Sequence, residues 1–313
     1  MDGRPFERGA GQNAVNVRIL WPGGVGLLLF ALGALLVSGG RDRAPAGPVL
    51  AVAGDVSLAR GVAAANASDW PAALAGVAPA LRAEATAANL ESPLTTTPRQ
   101  TPGIDLRAPP AGVAALAPFT HLGTENNHAR DGGPAGQTQS QAALRAAGVV
   151  PVTRTPTLSR VGGEHVAFVA YLDDGRTPPP LAAIRAAAAQ GAWVVVLPHW
   201  GEEYGLTTAR QRAQARSLVA AGATLVAGSG PHVLQGHEVR RGPRGPALVL
   251  YSLGNLLFDQ ALPATRVGAV VRVPLRQVGA ACAVPTRIRA GRVGPATGED
   301  RRAALRRLGL PPC

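Results

Sequence analysis

The sequence predicts an α/β fold: a central sheet covered by helices on both faces, preceded by one membrane-spanning helix. Three observations carry this. Short, continuous apolar runs alternate with helix-length segments, as in sheets buried on both sides. Polar side chains recur just beyond those runs. A single uncharged stretch of 22 residues, Ile19–Gly40, lies near the N-terminus.

That stretch is long enough to cross a bilayer, which takes about 20 residues. Pro22 and its glycines argue against a buried helix of a soluble core. Arg4, Arg8 and Arg18 precede it and Arg41 and Arg43 follow, so flanking charge does not fix its orientation. The expectation is a single-pass signal anchor at the cell membrane with the domain extracytoplasmic. The alternative is secretion after signal cleavage near Val37 and Gly39. The implied organisation is a disordered cytoplasmic leader over 1–18, the anchor over 19–40, a linker over 41–48, a catalytic-type domain over 49–276 and a basic tail over 277–313.

Within the domain, VLAVAG (49–54) reads as a buried strand. WPAALAGVAPALRA (70–83) reads as a helix with Pro in its first turn. ATAANLE (85–91) is a second strand. Helices follow at 137–148, 181–191 and 207–222, and strands at 165–171, 192–200, 223–228, 246–255 and 267–275. In the tail, RRAALRRLG reads as a short basic helix, set against the domain or a membrane surface.

Apolar residues make up 46% of the chain, enough for a sizeable core. The net charge of +12 invites a nucleic-acid reading. The arginines are scattered, however, and no zinc-finger spacing or aromatic-interleaved basic strip accompanies them, so no nucleic-acid partner is expected. Two cysteines, Cys282 and Cys313, are too few for a thiolate zinc site. They form one disulfide or remain two free thiols.

Asp55, Glu91, Asn127, His199 and His232 each follow an apolar segment. Ligands bind beyond the carboxyl ends of strands in open sheets, which gives these five a reason to converge. Oxygen and imidazole donors without thiolate suit Mn, Zn, Fe or Mg. Such a set can hold one or two divalent ions, and two ions about 3.5–4 Å apart clamp both oxygens of an in-line displacement. His128, adjacent to Asn127, is placed to protonate a leaving oxygen or to steady a phosphoryl oxygen.

AGDVSLARGV (53–62), NLESPLT (89–95), ENNHARDGG (125–133), PHWGEEY (198–204), GSGPHVLQGHE (228–238) and YSLGNLLFDQ (251–260) follow one another in an order that resembles the CapA family of capsule and poly-γ-glutamate synthesis proteins. The resemblance implies a calcineurin-like metallophosphoesterase sandwich of two mixed sheets flanked by helices. It implies metal ligation by Asp55, Glu91, Asn127, His199 and His232, catalysis by His128 and a steadying role for Asp131. Trp200, Glu202, Glu203 and Tyr204 are expected at the rim or just behind the ligands, with Asn255 and Gln260 positioning substrate. Gly230 departs from the family's His-x-His pair, and His237 could compensate only if its loop folds back. The implied activity is hydrolysis of a phosphoester or anionic polymer bond outside the membrane, alongside membrane partners in polymer synthesis. The alternative is a non-catalytic, tethered component of a synthesis or export complex.

Overall fold

The computed structural model describes residues 47–313, so the apolar stretch 19–40 lies outside the described residues. Among the described residues no helix is long and apolar enough to cross a membrane.

The chain opens with β1 (Val49–Val56), buried from Leu50 onward. Three short helices follow: α1 (Arg60–Asn66), α2 (Ala72–Ala75) and α3 (Ala78–Leu81). The single helix expected over 70–83 is thus two separate turns. Pro79, near the start of α3, has no N–H to give and cannot extend α2. Next come β2 (Ala85–Leu90), β3 (His121–Gly123), α4 (Gly133–Ala146) and β4 (Val150–Val152). Strands β5 (Thr157–Val161) and β6 (Glu164–Leu172) form a hairpin, followed by α5 (Leu181–Ala189) and β7 (Trp193–His199). Helix α6 (Ala209–Ala220) begins at a reciprocal cap: Thr208 and Gln211 each satisfy the other's backbone N–H. It leads into β8 (Ala223–Ala227), β9 (His237–Gly242), β10 (Gly245–Leu250) and β11 (Asn255–Leu257). The chain ends with β12 (Val267–Pro274), β13 (Cys282–Arg289), β14 (Arg292–Pro295) and α7 (Gly298–Leu308).

These strands make two mixed sheets. One runs β14-β13-β12-β1-β2-β3-β4, with β11 alongside the end of β1; the other runs β5-β6-β7-β8-β10-β9. Period-two alternation explains how they stack. Leu50 and Val52 of β1 join Phe168 of β6 and Val195 and Leu197 of β7 in a core between the sheets. Ala51 and Ala53 face the opposite way, toward Leu74, Leu81 and Leu144 of the helical layer. On the far side, Val169, Val194, Val196 and Val226 pack against Ile184 of α5 and Leu218 of α6. The result is the four-layer α/β/β/α arrangement that continuous apolar strands demand.

The expected boundary at 276 is not a boundary in the fold. Strands β13 and β14 extend the first sheet, and α7 inserts Ala304 and Leu308 into the core between the sheets. Its charges suit its dipole, with Glu299 and Asp300 in the first turn and Arg306 and Arg307 in the last. The strands were concealed by sequence: β13 carries Pro285, where β14 has not yet begun to pair. Beyond α7 the chain returns to β13. The Ala283 N–H donates to the Pro311 carbonyl, the Ala283 carbonyl accepts from the Cys313 N–H, and Cys282 and Cys313 are disulfide-bonded.

The bond closes a loop of 31 residues holding β13, β14 and α7. Reduction, or Cys313→Ser, should lower unfolding free energy by about 2–4 kcal/mol. Urea titration with and without reductant measures it, and an unchanged midpoint would refute the stabilising role.

Candidate metal centre

The parallel strands of both sheets end at one edge, where their carboxyl termini bring polar side chains together. Strand β1 is flanked there by β2 and β11, with Asp55 level with Asn89 on one side and Asn255 on the other. Gly54 permits this: a Cβ on it would lie 1.8 Å from the carbonyl oxygen of Gly254. Glu91 follows β2 directly, its N–H bonded to the Val56 carbonyl. His199 closes β7 of the other sheet, and His232 lies in the turn after β8 with a left-handed φ of 59°.

Asp55 is fully buried and held from four directions. Asn89 Nδ2 donates to its Oδ1 at 2.8 Å and the Gly230 N–H to its Oδ2 at 3.1 Å. His232 Nδ1 is 3.2 Å from Oδ2, and His199 Nδ1 is 3.8 Å from Oδ1. Glu91 is held otherwise: both carboxylate oxygens are buried without a hydrogen-bond partner. His199 Nε2 and His232 Nε2 approach its Oε1 only to 3.8 and 3.7 Å. A buried carboxylate in this state is costly, and a cation among these groups supplies what it lacks. Asp55, Glu91 and His232 can each direct one donor atom to a common point, these atoms lying within 4.8 Å of one another. The residues therefore fit a hard or borderline divalent ion.

The neighbouring network sets the tautomers. Asn255 Nδ2 donates to Gln260 Oε1 and the Thr265 carbonyl, so its Oδ1 faces His232 Nδ1 at 2.9 Å. A proton therefore sits on Nδ1, and Nε2 is the nitrogen toward Glu91. This is the outer hydrogen bond that orients a ligating imidazole. Asp131 does the same for His128. Its Oδ2 accepts from Nδ1 at 2.9 Å and from the Leu106 N–H, while Oδ1 accepts from Thr101.

Electrostatics follow from burial and proximity. Burial and the Asp55 charge push Glu91 well above the usual carboxylate range. Burial opposes charge on His232, but the Asp55 hydrogen bond and the Glu91 and Asp55 charges outweigh it, raising its pKa to about 10. Burial lowers His199 to about 4. Asp55 is lowered: burial works against its charge, but His232, His199 and Asn89 prevail.

Asp55, Glu91, His199 and His232 thus come together, with His128 and Asp131 beside them. Asn127 does not join them. Its side chain is exposed, and Asn126 takes the buried position, donating to Asn89 Oδ1 and the Leu90 carbonyl. Of the two positions expected for Trp200 it takes the one behind the site, buried in the core, stacked on Tyr251 and donating to its carbonyl. Glu202 is exposed and lies off the cleft, whereas Glu203, Tyr204 and Gln260 line it. Asn255 is fully buried behind His232 and holds that ring rather than substrate. His237 stays on β9, bonded to the Leu308 carbonyl, and does not compensate for Gly230. Gly230 itself has φ 107°, and a Cβ there would meet the Trp200 carbonyl oxygen at 2.7 Å. That position is built as a backbone donor to Asp55. Asn89 escaped sequence reading, although it stands two residues before Glu91 on an extended segment and so shares its face.

The centre opens into a cleft of about 380 Å³ with Glu91 and His232 at its floor and His128, Tyr204, Phe258 and Arg60 around it. In the metal-free protein the raised His232 adds stability that is complete below pH ~6.5 and lost as pH rises through about 10. If His232 holds a metal, that proton would have to leave, so affinity should rise about tenfold per pH unit between pH 6 and 8 for each proton released. Isothermal titration in buffers of different ionisation enthalpy reads the proton count; pH-independent affinity would exclude His232 as a ligand.

Several known proteins resemble this chain. It is 40% identical over 119 residues to the capsule biosynthesis protein CapA of Bacillus anthracis, covering 37% of this chain and 28% of that protein. It is 33% identical over 187 residues to the PGA biosynthesis protein CapA of Bacillus subtilis (strain 168), covering 51% of this chain and 48% of that protein. The chain therefore spans less than half the length of either. A crystal structure of a hypothetical protein from Thermus thermophilus superposes with a TM-score of 0.43 at 18% identity, covering 79% of this chain and 98% of that one. The family model of the bacterial capsule synthesis protein PGA_cap matches residues 49–260, more than half of the chain. By that match, the chain belongs to the PGA_cap family of bacterial capsule synthesis proteins.

Proposed function

We propose that this chain is a CapA-like protein of capsule or poly-γ-glutamate biosynthesis and a metal-dependent hydrolase of a phosphoester or polymer bond outside the membrane. One observation carries the hydrolase reading: the Glu91 carboxylate is buried and unpartnered among Asp55, His199 and His232. Those four residues would hold the metal, which supplies Lewis-acid polarisation of a phosphoryl or carbonyl oxygen. Asn89 and the Gly230 N–H fix Asp55, and Asn255 fixes the proton on His232 Nδ1. Asp131 turns His128 so that its Nε2 gives a proton to the departing oxygen in the cleft.

The Cys282–Cys313 bond supports an oxidising compartment, in line with export through the 19–40 segment. In this reading the segment stays as a single-pass anchor, with secretion after cleavage as the variant, and membrane-bound polymer-synthesis proteins are the partners. Gly230, which offers no side-chain ligand, favours a second reading: a tethered, non-catalytic component of such an assembly.

Metal analysis of chain reloaded with Mn²⁺ or Zn²⁺ separates the two. The hydrolase reading expects one or two ions per chain, lost in Glu91→Gln and His232→Ala. It also expects turnover of bis(p-nitrophenyl) phosphate or poly-γ-glutamate. His128→Ala should keep its metal and lose about 10²–10⁴-fold in kcat. Folded protein without stoichiometric metal would leave only the scaffold reading.

A further inference from the structure

Arg60 stands at the cleft mouth in an unusual state. It is the first residue of α1 and has a left-handed φ of 50°, a conformation that costs free energy for any residue with a Cβ. Its guanidinium is nevertheless held in place. Nε donates to Asp259 Oδ1 at 3.2 Å and Nη2 bonds the same oxygen, while Asp259 Oδ2 accepts the N–H of Gly61 at 2.9 Å. The guanidinium also lies 5.8 Å from the centre of the Phe258 ring. One carboxylate thus fixes both the backbone turn and the side chain. Only two of the five guanidinium N–H donors are used on Asp259.

The wall that carries Asp259 has a second side. Phe258, Asp259 and Gln260 line the metal cleft and also a neighbouring hollow of about 610 Å³. Across that hollow stand Arg266, Arg287 and Arg289. Arg287 is paired with Asp300 at 2.7 Å. Arg266 and Arg289 are exposed, and neither has an acid partner among the described residues.

We propose that Arg60 binds an oxyanionic group of the molecule that enters the cleft, and that Arg266 and Arg289 hold further charges of the same chain beyond the Phe258–Gln260 wall. The ligand is a linear polyanion, laid across that wall with one unit over Glu91 and His232. Guanidinium groups suit this task because their fork of donors matches carboxylate and phosphate alike. The pairing with Asp259 pre-orders Arg60, so less side-chain freedom is lost on binding. The proposal rests on reading the cleft as a substrate site, and its test separates the two.

Binding of fluorescent polyglutamate and of fluorescent polyphosphate is followed by anisotropy for the wild-type chain, Arg60→Gly, Arg266→Ala/Arg289→Ala and Glu91→Gln. Glycine tolerates the left-handed backbone at position 60, so Arg60→Gly relieves strain instead of adding it, and thermal melting verifies the fold. Each arginine variant should bind the better polymer at least tenfold more weakly, with a shallower salt dependence. Inorganic phosphate should compete less well only in Arg60→Gly. The polymer preferred by the wild type identifies carboxylate or phosphate as the charge. Unchanged polymer affinity in both arginine variants would overturn the proposal, as would a polymer that binds no more tightly than inorganic phosphate. Metal content is measured on the same samples. Arginine-dependent binding by a chain that holds no metal would sink the hydrolase reading and leave the polyanion track standing. Bound metal with arginine-independent polymer binding would do the reverse.

Discussion

The centre is organised by the close approach of two backbones. At Gly54 the carbonyl of residue 254 occupies the space that any side chain would need, and β11 lies against the end of β1 in place of β12. This places Asp55 level with Asn89 and Asn255 at once. Asn89 then fixes one oxygen of Asp55, and Asn255 fixes the imidazole that meets the other. A buried charge persists only where such partners compensate its lost hydration. Asp55 has them and Glu91 lacks them, and that contrast between two carboxylates in one pocket suits the centre to a cation.

The backbone of the turn after β8 serves the same end. Gly230 looks, in sequence, like a ligand lost from a pair. In the fold it is a position that no side chain can enter, with its N–H directed at Asp55. Two residues on, the left-handed His232 swings its ring back over the same carboxylate. Two unusual conformations in one turn thus build one face of the centre, and the Tyr204 N–H bonds the intervening Pro231 carbonyl to tie that face to the loop after β7. Such strain is tolerated where the surroundings over-determine it.

Much of this was legible in residues. Apolar runs at β1, β6, β7 and β8 announce buried strands, and the polar residues that end them announce one functional edge. Asp55, Glu91, His199 and His232 are found that way. The choice between Asn126 and Asn127 is not, because adjacent amides in a turn differ only in which way the backbone points them. The neighbours Glu202 and Glu203 do not decide whether Trp200 stands at the rim or behind it; its ring is needed in the helix-facing core beside Tyr251. Three-residue strands such as β3 and β4 carry too little pattern to detect. Arg60 was hidden for another reason: its importance lies in a dihedral angle and in a partner 199 positions away.

The way α7 is seated bears on what counts as a unit here. The stretch shared with the family stops at 260, before β12, β13, β14 and α7. Yet β12 pairs along most of β1, and Ala304, Leu308 and Leu310 seal the layer between the sheets. A fragment cut at the limit of sequence similarity would bare a long apolar strand edge and an open core, the features that drive association between chains. Homology therefore marks the part that carries the candidate metal centre, while the folded body extends to the cystine. Expression boundaries, domain fusions and deletion alleles drawn from the alignment alone would be expected to give insoluble protein rather than inactive protein.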